Sequence, residues 1–238
     1  MTIASRIDKL SVILAEDDAF LRKVLRSVLI AIGIKKIWST ENGAEAIELL
    51  GAHKADLLVT DIQMPKMNGL ELMKYIRTGD AGCPKDLRII AITSFSTPEV
   101  VVTALSLGVN GFLVKPITPG DALQKINIAM SEKFDLLTSE AYTSVITDLE
   151  SIQKPLARGR KNVNAAISLT TRKAQGGITE RDREIPLSQL KPGMQLQSDL
   201  VTKAGLTLVS AGQVLDERLT NRIAELAEVI DSKYVLIV

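Results

Sequence analysis

The sequence has 238 residues, 46% of them apolar and 24% charged, which is the composition of a globular protein with one or two domains. The formal net charge of +1 gives no general attraction to nucleic acid or anionic membranes, and an aromatic content of 3% argues against a protein that stacks single-stranded bases. Cys83 is the only cysteine, which excludes a disulfide within the chain and favours a reducing compartment.

The start of the chain is too charged for a secretory leader, with three consecutive acidic residues at 16–18. No uncharged run anywhere in the sequence is long enough to cross a bilayer. We therefore expect a cytoplasmic protein without a membrane partner.

Short apolar runs alternate with helical periodicity through the first 133 residues. Five runs predict strands, at residues 11–15, 34–38, 57–60, 88–92 and 111–114. Helices are predicted from Phe20 to Ile32, from Ala44 to Leu50, after Asn68 as an N-cap, at 98–107 and at 119–133. Strands that are apolar throughout are typical of a parallel sheet covered on both faces, so the pattern predicts a doubly wound α/β domain.

Polar side chains follow four of the five predicted strands. Glu16 and Asp17 follow the first strand and Asp61 follows the third. Thr93 and Lys115 follow the fourth and the fifth. Functional crevices of such sheets lie beyond the carboxyl ends of the strands, so we expect these five side chains to meet at one edge.

The chemistry of this set favours phosphoryl transfer. Clustered carboxylates either share a proton or bind a cation, and an all-oxygen set suits Mg²⁺ or Mn²⁺. The Asp61 carboxylate is a candidate nucleophile, Lys115 supplies a positive charge, and Thr93 supplies a hydroxyl for a phosphoryl oxygen. Alternatively, an acidic pair after a strand only favours a helix N-terminus, and a lone Asp after a strand is a turn residue.

Four motifs resemble the signature of bacterial two-component response regulators, the CheY-like receiver domains. They are AEDD at 15–18, DIQMP at 61–65, AITS at 91–94 and GFLVKP at 111–116, and the resemblance spans residues 10–130. It implies a flavodoxin-like fold with a five-stranded parallel sheet for a receiver domain at residues 1–133. It further implies a phosphoacceptor that undergoes autocatalytic phosphotransfer and autodephosphorylation, and not an enzyme that acts on other molecules.

The same resemblance implies the roles of individual residues. A sensor histidine kinase or a phosphotransfer protein phosphorylates Asp61. Glu16, Asp17, Asp61 and the backbone carbonyl of Gln63 surround Mg²⁺, with Glu16 in place of the more frequent Asp. Thr93 and Phe112 form a switch pair, so that Phe112 turns inward after phosphorylation. The face of the fourth helix, fifth strand and fifth helix then becomes the docking or dimerisation surface.

Two residues are expected to tune the loss of the phosphoryl group. Gln63 and Phe95 lie two residues after Asp61 and Thr93, where side chains border an acyl phosphate. We hypothesise that the bulky Phe95 hinders water and prolongs the phosphorylated state. Alternatively, Phe95 only packs on its loop.

Residues 134–183 are predicted to be a helix followed by a basic linker. A helix is expected at 138–153, where apolar residues recur on one side. Residues 154–183 carry many Lys and Arg side chains and few large apolar ones, so they cannot bury a core. They are either a solvated tether or a basic arm for nucleic acid or an acidic partner.

Residues 184–238 are predicted to form a small β-rich output or interaction domain. Residues 199–202 and 206–209 suggest a hairpin, residues 215–230 a helix, and residues 234–238 a last strand. The pieces LKPGM and AGQVL resemble a small module found beside HD-type phosphodiesterase domains in response regulators. With His53 as the only histidine, a multi-histidine metal phosphohydrolase is excluded. We interpret the region as an interaction or dimerisation module.

Three output functions remain open from the sequence. The first is a phosphorylation-switched adaptor for a downstream protein target whose identity the sequence does not reveal. The second is a transcriptional or nucleic-acid-binding regulator that uses the basic linker. The third is a degenerate member of a cyclic-dinucleotide phosphodiesterase family.

Overall fold

The structure is a computed structural model that describes most of the chain. The described residues are 7–93, 97–131, 134, 136–153, 183–201, 207–209, 211–225, 227, 230 and 234–237. The chain divides into two compact units, of which the first comprises Met1–Ser96 and Thr103–Arg160 and the second comprises Thr97–Val102 and Lys161–Val238. In the described part of the chain, no helix is both long and apolar enough to span a bilayer.

A five-stranded parallel sheet forms the first unit. Its strands are β1 (Ser11–Ala15), β2 (Lys36–Thr40), β3 (Leu57–Asp61), β4 (Arg88–Thr93) and β5 (Gly111–Val114). Their spatial order is β2-β1-β3-β4-β5 and all four pairings are parallel. The predicted flavodoxin-like, doubly wound α/β fold is therefore confirmed.

Five helices alternate with these strands at the predicted places. They are α1 (Ala19–Ala31), α2 (Gly43–Ala52), α3 (Gly69–Thr78), α4 (Pro98–Ser106) and α5 (Pro119–Ser131). Strand β2 begins two residues later than predicted, because the backbone of Ile34 bonds back to the last turn of α1. Its amide donates to the Leu29 carbonyl over 3.1 Å, across a turn in which Gly33 adopts a φ of +103°.

One continuous core lies on the face of the sheet toward α1 and α5. Alternate residues of the strands supply its sheet side, such as Val12 and Leu14 in β1 and Leu57 and Val59 in β3. Leu25 from α1 and Ile126 from α5 are among the residues that complete it. Both faces of the central strands are buried, which explains why these strands are apolar throughout.

The single helix predicted at 138–153 is wrong. The structure has two short helices, α6 (Ser139–Thr143) and α7 (Leu149–Gln153). Two carbonyls between them accept bonds from α3 and its N-cap, since Lys74 Nζ donates to Val145 O over 2.8 Å and Asn68 Nδ2 donates to Thr147 O over 3.1 Å. These tertiary bonds take the place of helix bonds, and the Asp148 carboxylate then accepts from the Ser151 amide to start α7.

The second unit contains two short antiparallel strand pairs. Strand β6 (Arg183–Pro186) pairs with the C-terminal strand β9 (Tyr234–Ile237), and β7 (Leu200–Val201) pairs with β8 (Thr207–Val209). The predicted hairpin strands and last strand are confirmed, whereas β6 was not predicted. The predicted helix is shorter than expected: α8 (Glu217–Glu225) ends well before Ile230, which lies in a β-bridge.

The boundaries of the three predicted segments stay predictions. The basic linker predicted at 154–183 lies outside the described residues, except that its last residue, Arg183, begins β6. The proposed limits at 133 and 183 therefore remain expectations from the sequence. The likeness of the C-terminal region to the module beside HD-type phosphodiesterases is likewise untested.

Candidate functional site

Three carboxylates meet where β1 and β3 end. Glu16 and Asp17 directly follow β1, and Asp61 is the last residue of β3. One carboxylate oxygen from each lies within 4.8 Å of the other two. Glu16 and Asp61 are buried, while Asp17 is exposed. The expected meeting of these three side chains at one edge of the sheet is therefore observed.

Lys115 brings a positive charge into the same place. It directly follows β5, and its amide donates to the Thr93 carbonyl over 2.9 Å. Its Nζ donates to Asp61 Oδ2 over 2.8 Å and lies 2.9 Å from Glu16 Oε2 in an ion pair. The ammonium group thus bridges carboxylates from two strands and offsets part of their mutual repulsion.

The pKa values of Glu16 and Lys115 are both raised by the balance of burial, hydrogen bonds and neighbouring charges. Burial raises the pKa of Glu16 because it disfavours the carboxylate; the Lys115 ammonium opposes this rise, and the Asp61 charge adds to it. Burial also disfavours the charged form of Lys115. The hydrogen bonds and charges of Asp61 and Glu16 outweigh that effect, so the pKa of Lys115 is raised. The lysine is therefore held as a cation.

Two residues of α1 support the acidic turn and were missed by the sequence reasoning. Asp18 is the N-cap of α1, where its side chain accepts from the Leu21 amide over 2.8 Å. Arg22 Nη1 donates to the carbonyls of Glu16 and Asp17 over 2.6 and 3.1 Å. The only signal for Arg22 in the sequence was its position one helical turn after Asp18. That position does not reveal the contact, because Arg22 bonds to backbone carbonyls and not to an acidic side chain.

The loop from β3 to α3 is held closely against Asp61. The Ile62 amide donates to Asp61 Oδ1 over 2.6 Å, and the Gly69 amide donates to Ile62 O over 2.8 Å. A Cβ at Gly69 would collide with the Asp61 carbonyl oxygen and lie 2.9 Å from Ile62 Cα, so only glycine fits. Asn68 forms the predicted N-cap of α3, in a capping box with Glu71.

The structure describes three of the four proposed switch and tuning residues. Thr93 and Phe112 are both buried, on the neighbouring strands β4 and β5. Phe112 is already buried here, as the prediction expects of it after phosphorylation. Gln63 is exposed in the loop after β3, and Phe95 lies outside the described residues. The roles of all four stay predictions.

The donor set fits a hard divalent cation such as Mg²⁺. All the clustered donors are carboxylate oxygens, the ligand type that Mg²⁺ prefers. The buried Glu16 Oε2 lies 2.9 Å from Lys115 Nζ and has no further donor among the described residues, so the site leaves room for another electropositive partner. Arg22 fixes the backbone of Glu16 and Asp17 and thereby orients two of the three ligands.

Comparison with known proteins places these residues in a family. Residues 12–127 match the response regulator receiver domain family. Chemotaxis protein CheY1 of Helicobacter pylori is 34% identical over 122 residues, which are 51% of this chain and 97% of that protein. Transcriptional regulatory protein PdtaR of Mycobacterium tuberculosis is 28% identical over 149 residues, which are 63% of this chain and 70% of that protein.

Among solved structures, chemotaxis response regulator CheY4 of Vibrio cholerae is 25% identical, with a TM-score of 0.45, and the match covers 51% of this chain and 99% of that one. The similarity to CheY1 spans nearly all of that relative, and the family match at residues 12–127 contains the acidic cluster and Lys115. The chain therefore belongs, through residues 12–127, to the response regulator receiver family of two-component signal transduction.

Proposed function

We propose that this protein is a phosphorylation-dependent switch whose receiver unit accepts a phosphoryl group on Asp61. The observation that supports this most directly is the position of Lys115, whose Nζ lies 2.8 Å from Asp61 Oδ2 and 2.9 Å from Glu16 Oε2. A cation beside a carboxylate at the end of a buried strand can neutralise the oxygens of an incoming phosphoryl group. Receiver domains generally act as phosphoacceptors.

In the proposed reaction, a carboxylate oxygen of Asp61 attacks phosphorus. A new P–O bond forms, and the P–N bond of a phosphohistidine on the kinase or phosphotransfer protein breaks. The electron pair leaves with the histidine nitrogen, which takes up a proton. Lys115 holds the phosphoryl oxygens by charge, and the Thr93 hydroxyl is the proposed hydrogen-bond donor to one of them.

The acidic cluster gives the reaction its proposed cofactor site. Glu16, Asp17 and Asp61, with the backbone carbonyl of Gln63, would hold Mg²⁺. When bound, the ion supplies charge neutralisation for the carboxylates and the phosphoryl oxygens. Arg22 and Asp18 keep the acidic turn in place by their bonds to its backbone and to the start of α1.

The proposed output passes through the face of α4, β5 and α5. Phosphorylation adds about 1.5 to 2 negative charges and three acceptor oxygens, which would draw Thr93 toward Asp61. Phe112 lies on β5 beside β4, so a movement of Thr93 changes its surroundings. We propose that this face and the C-terminal module bind a downstream protein or a second copy of the chain.

Intact-protein mass spectrometry tests the proposed phosphorylation. The full chain is incubated with acetyl phosphate and Mg²⁺, and we expect one added phosphoryl group that is absent in EDTA. Asp61→Asn should abolish the addition, whereas Asp56→Asn, at the end of the loop before β3, should keep it. An unchanged mass of the native chain, or equal addition to Asp61→Asn, would remove the proposal.

The lifetime of the acyl phosphate is proposed to depend on Phe95 and Gln63. A bulky side chain two residues after Thr93 would hinder the attacking water. Phe95→Ser should then speed autodephosphorylation, measured as phosphate release after the donor is removed. An unchanged rate would mean that Phe95 only packs on its loop.

A nucleic-acid-binding output is the second candidate. The match to a protein named as a transcriptional regulator extends over 149 residues, longer than the receiver match, and the sequence at 154–183 is rich in Lys and Arg. Binding that weakens steeply with salt, measured with a fluorescent RNA or DNA, would support it. Unchanged affinity after the linker arginines are replaced by Gln would contradict it.

A further inference from the structure

The segment after the receiver helices lies back along α3. Residues 136–148, here called the strap, include α6 and bury Tyr142 and Val145. Near the start of the strap, Ser139 Oγ accepts over 2.8 Å from Nζ of Lys85, which lies in the loop that follows α3. Near the end of the strap, the Thr147 carbonyl accepts from Asn68, the N-cap of α3. The strap therefore runs the length of α3, from its C-terminal end to its N-terminal end.

The C-terminal end of the strap bonds to α3 and to the last residue of the loop that follows Asp61. Asn68 Nδ2 donates to Thr147 O over 3.1 Å, and Lys74 Nζ donates to Val145 O over 2.8 Å. Asn68 precedes Gly69, which is packed against the backbone of Asp61 without room for a side chain. A shift of the Asp61 backbone cannot be absorbed at Gly69, so it reaches Asn68 and its bond to the strap.

Most of the strap is exposed and only two of its residues are buried, so a local change is large enough to loosen it. The two buried residues are the apolar side chains Tyr142 and Val145. An open pocket of about 330 Å³ lies between α3 and part of the strap, with Tyr75, Thr143 and Thr147 in its lining. The Asn68–Thr147 bond is already 3.1 Å long, and a displacement of about 0.5 Å would break it.

We propose that the strap is a latch on the phosphorylation loop, docked while Asp61 is a free carboxylate and loosened when Asp61 carries a phosphoryl group. The inference rests on the proposed function. The Ile62 amide and Lys115 Nζ now bond to the Asp61 carboxylate, and a phosphoryl group takes over these donors. The strap, which continues toward the second unit in sequence, thereby responds to the acyl phosphate through Asn68. This response does not require the face of α4, β5 and α5 to change.

Hydrogen–deuterium exchange of the full chain tests the latch, with Mg²⁺ and beryllofluoride as the phosphoryl mimic. We expect slower exchange in the loop at 61–68 and about fivefold faster exchange at 139–147. Slower exchange in the loop with unchanged or slower exchange at 139–147 would overturn the latch and leave the proposed function standing. No change in either segment would overturn both.

Two substitutions mimic the released strap. Asn68→Ser keeps a side-chain N-cap but lacks the amide that reaches Thr147 O, and Lys74→Met removes the donor to Val145 O. Both should speed exchange at 139–147 without beryllofluoride and reduce the further rise that beryllofluoride causes. Lys23→Met, an exposed lysine of α1, is the matched control and should behave as the native chain. Native behaviour of both strap variants would contradict the latch.

Discussion

The two units of the chain differ in what they bury. Among the described residues, every buried polar or charged side chain belongs to the first unit, between Ser11 and Asn110. These side chains include Glu16, Asp61 and Arg77, each of which has a tertiary partner. In the described part of the second unit, the two aspartates whose carboxylates accept bonds from backbone amides, Asp199 and Asp216, are exposed.

This difference indicates where chemistry and where assembly are to be expected. A buried charge is costly unless it is paired, so a protein retains it where it stabilises the fold or serves a reaction. The first unit carries several such groups around one edge of a sheet. The described part of the second unit buries apolar residues, such as Leu196 and Ile237, which pair in a β-bridge, and has exposed caps, as we expect of the proposed interaction module.

The strongest test of this comparison is the buried Arg77. Its guanidinium is fully buried and donates to the carbonyls of Leu87, Leu107 and Gly108, while its Cζ lies 4.6 Å from the centre of the Phe134 ring. Arg77→Met leaves these carbonyls without their donor and should cost about 3–5 kcal/mol of unfolding free energy.

The only tryptophan, Trp38 in β2, reports unfolding of the first unit by fluorescence in a urea titration. Arg26→Met, at an exposed position of α1, is the control and should change the free energy by less than about 0.5 kcal/mol. A similar midpoint for the two variants would mean that the buried guanidinium does not support the first unit.

Lys115 tests the same idea at the acidic cluster. Lys115→Met leaves the Asp61 and Glu16 carboxylates without their shared cation and should cost about 2–3 kcal/mol in EDTA. Mg²⁺ should then stabilise the variant more than the native chain, because the ion replaces the missing charge. Lys35→Met removes an exposed ion pair to Asp8 and should cost less than about 1 kcal/mol. Equal costs would contradict a special role for the buried pair.

A cap in the second unit should give a smaller effect. The Asp216 carboxylate accepts from the Leu219 amide over 2.6 Å at the start of α8. Asp216→Ala should cost about 1 kcal/mol, seen as faster hydrogen exchange in α8. Glu217→Ala keeps the cap and changes only a charge in the first turn, so its effect should be smaller. The reverse order would show that charge and not capping starts this helix.

The smallest expected effect is a pH dependence at α2. Hydrogen bonds from Thr40 and Asn42 lower the pKa of Glu45 to about 2. Because the folded-state pKa lies below the ordinary value of 4.5, the stabilisation is present at higher pH and is lost as the pH falls from 4.5 toward 2. The stability difference between the native chain and Glu45→Gln should therefore shrink over that window. Glu48→Gln, an exposed position on the same helix, is the control for the loss of one negative charge from α2.

The fold of the first unit was predictable because its signals are local. The central strands β1 and β3 are mostly apolar and buried, and the helix after β3 has a clear start at Asn68. The site followed from the same pattern, since parallel strands place Asp17, Asp61 and Lys115 at one edge. The break between α6 and α7 was not predictable, because it depends on Lys74 and Asn68, more than seventy residues away in sequence.

The second unit was less predictable for the same physical reason. Strand β6 pairs with β9, so its partner lies about fifty residues further along the chain and leaves no local pattern. The helical periodicity up to Ile230 was real but did not extend the helix, because Ile230 takes part in a β-bridge. Arg77 was missed as well, since its carbonyl partners at 107 and 108 come from a distant loop.

Chemical trapping of the phosphorylated residue tests the central claim most directly. Borohydride reduces an acyl phosphate to an alcohol, so a phosphorylated aspartate becomes homoserine, which peptide mass spectrometry locates. After treatment with acetyl phosphate and Mg²⁺, we predict homoserine at position 61, with Asp17 and Asp18 unchanged. Homoserine at another aspartate, or none in a chain that has gained a phosphoryl group, would contradict the account.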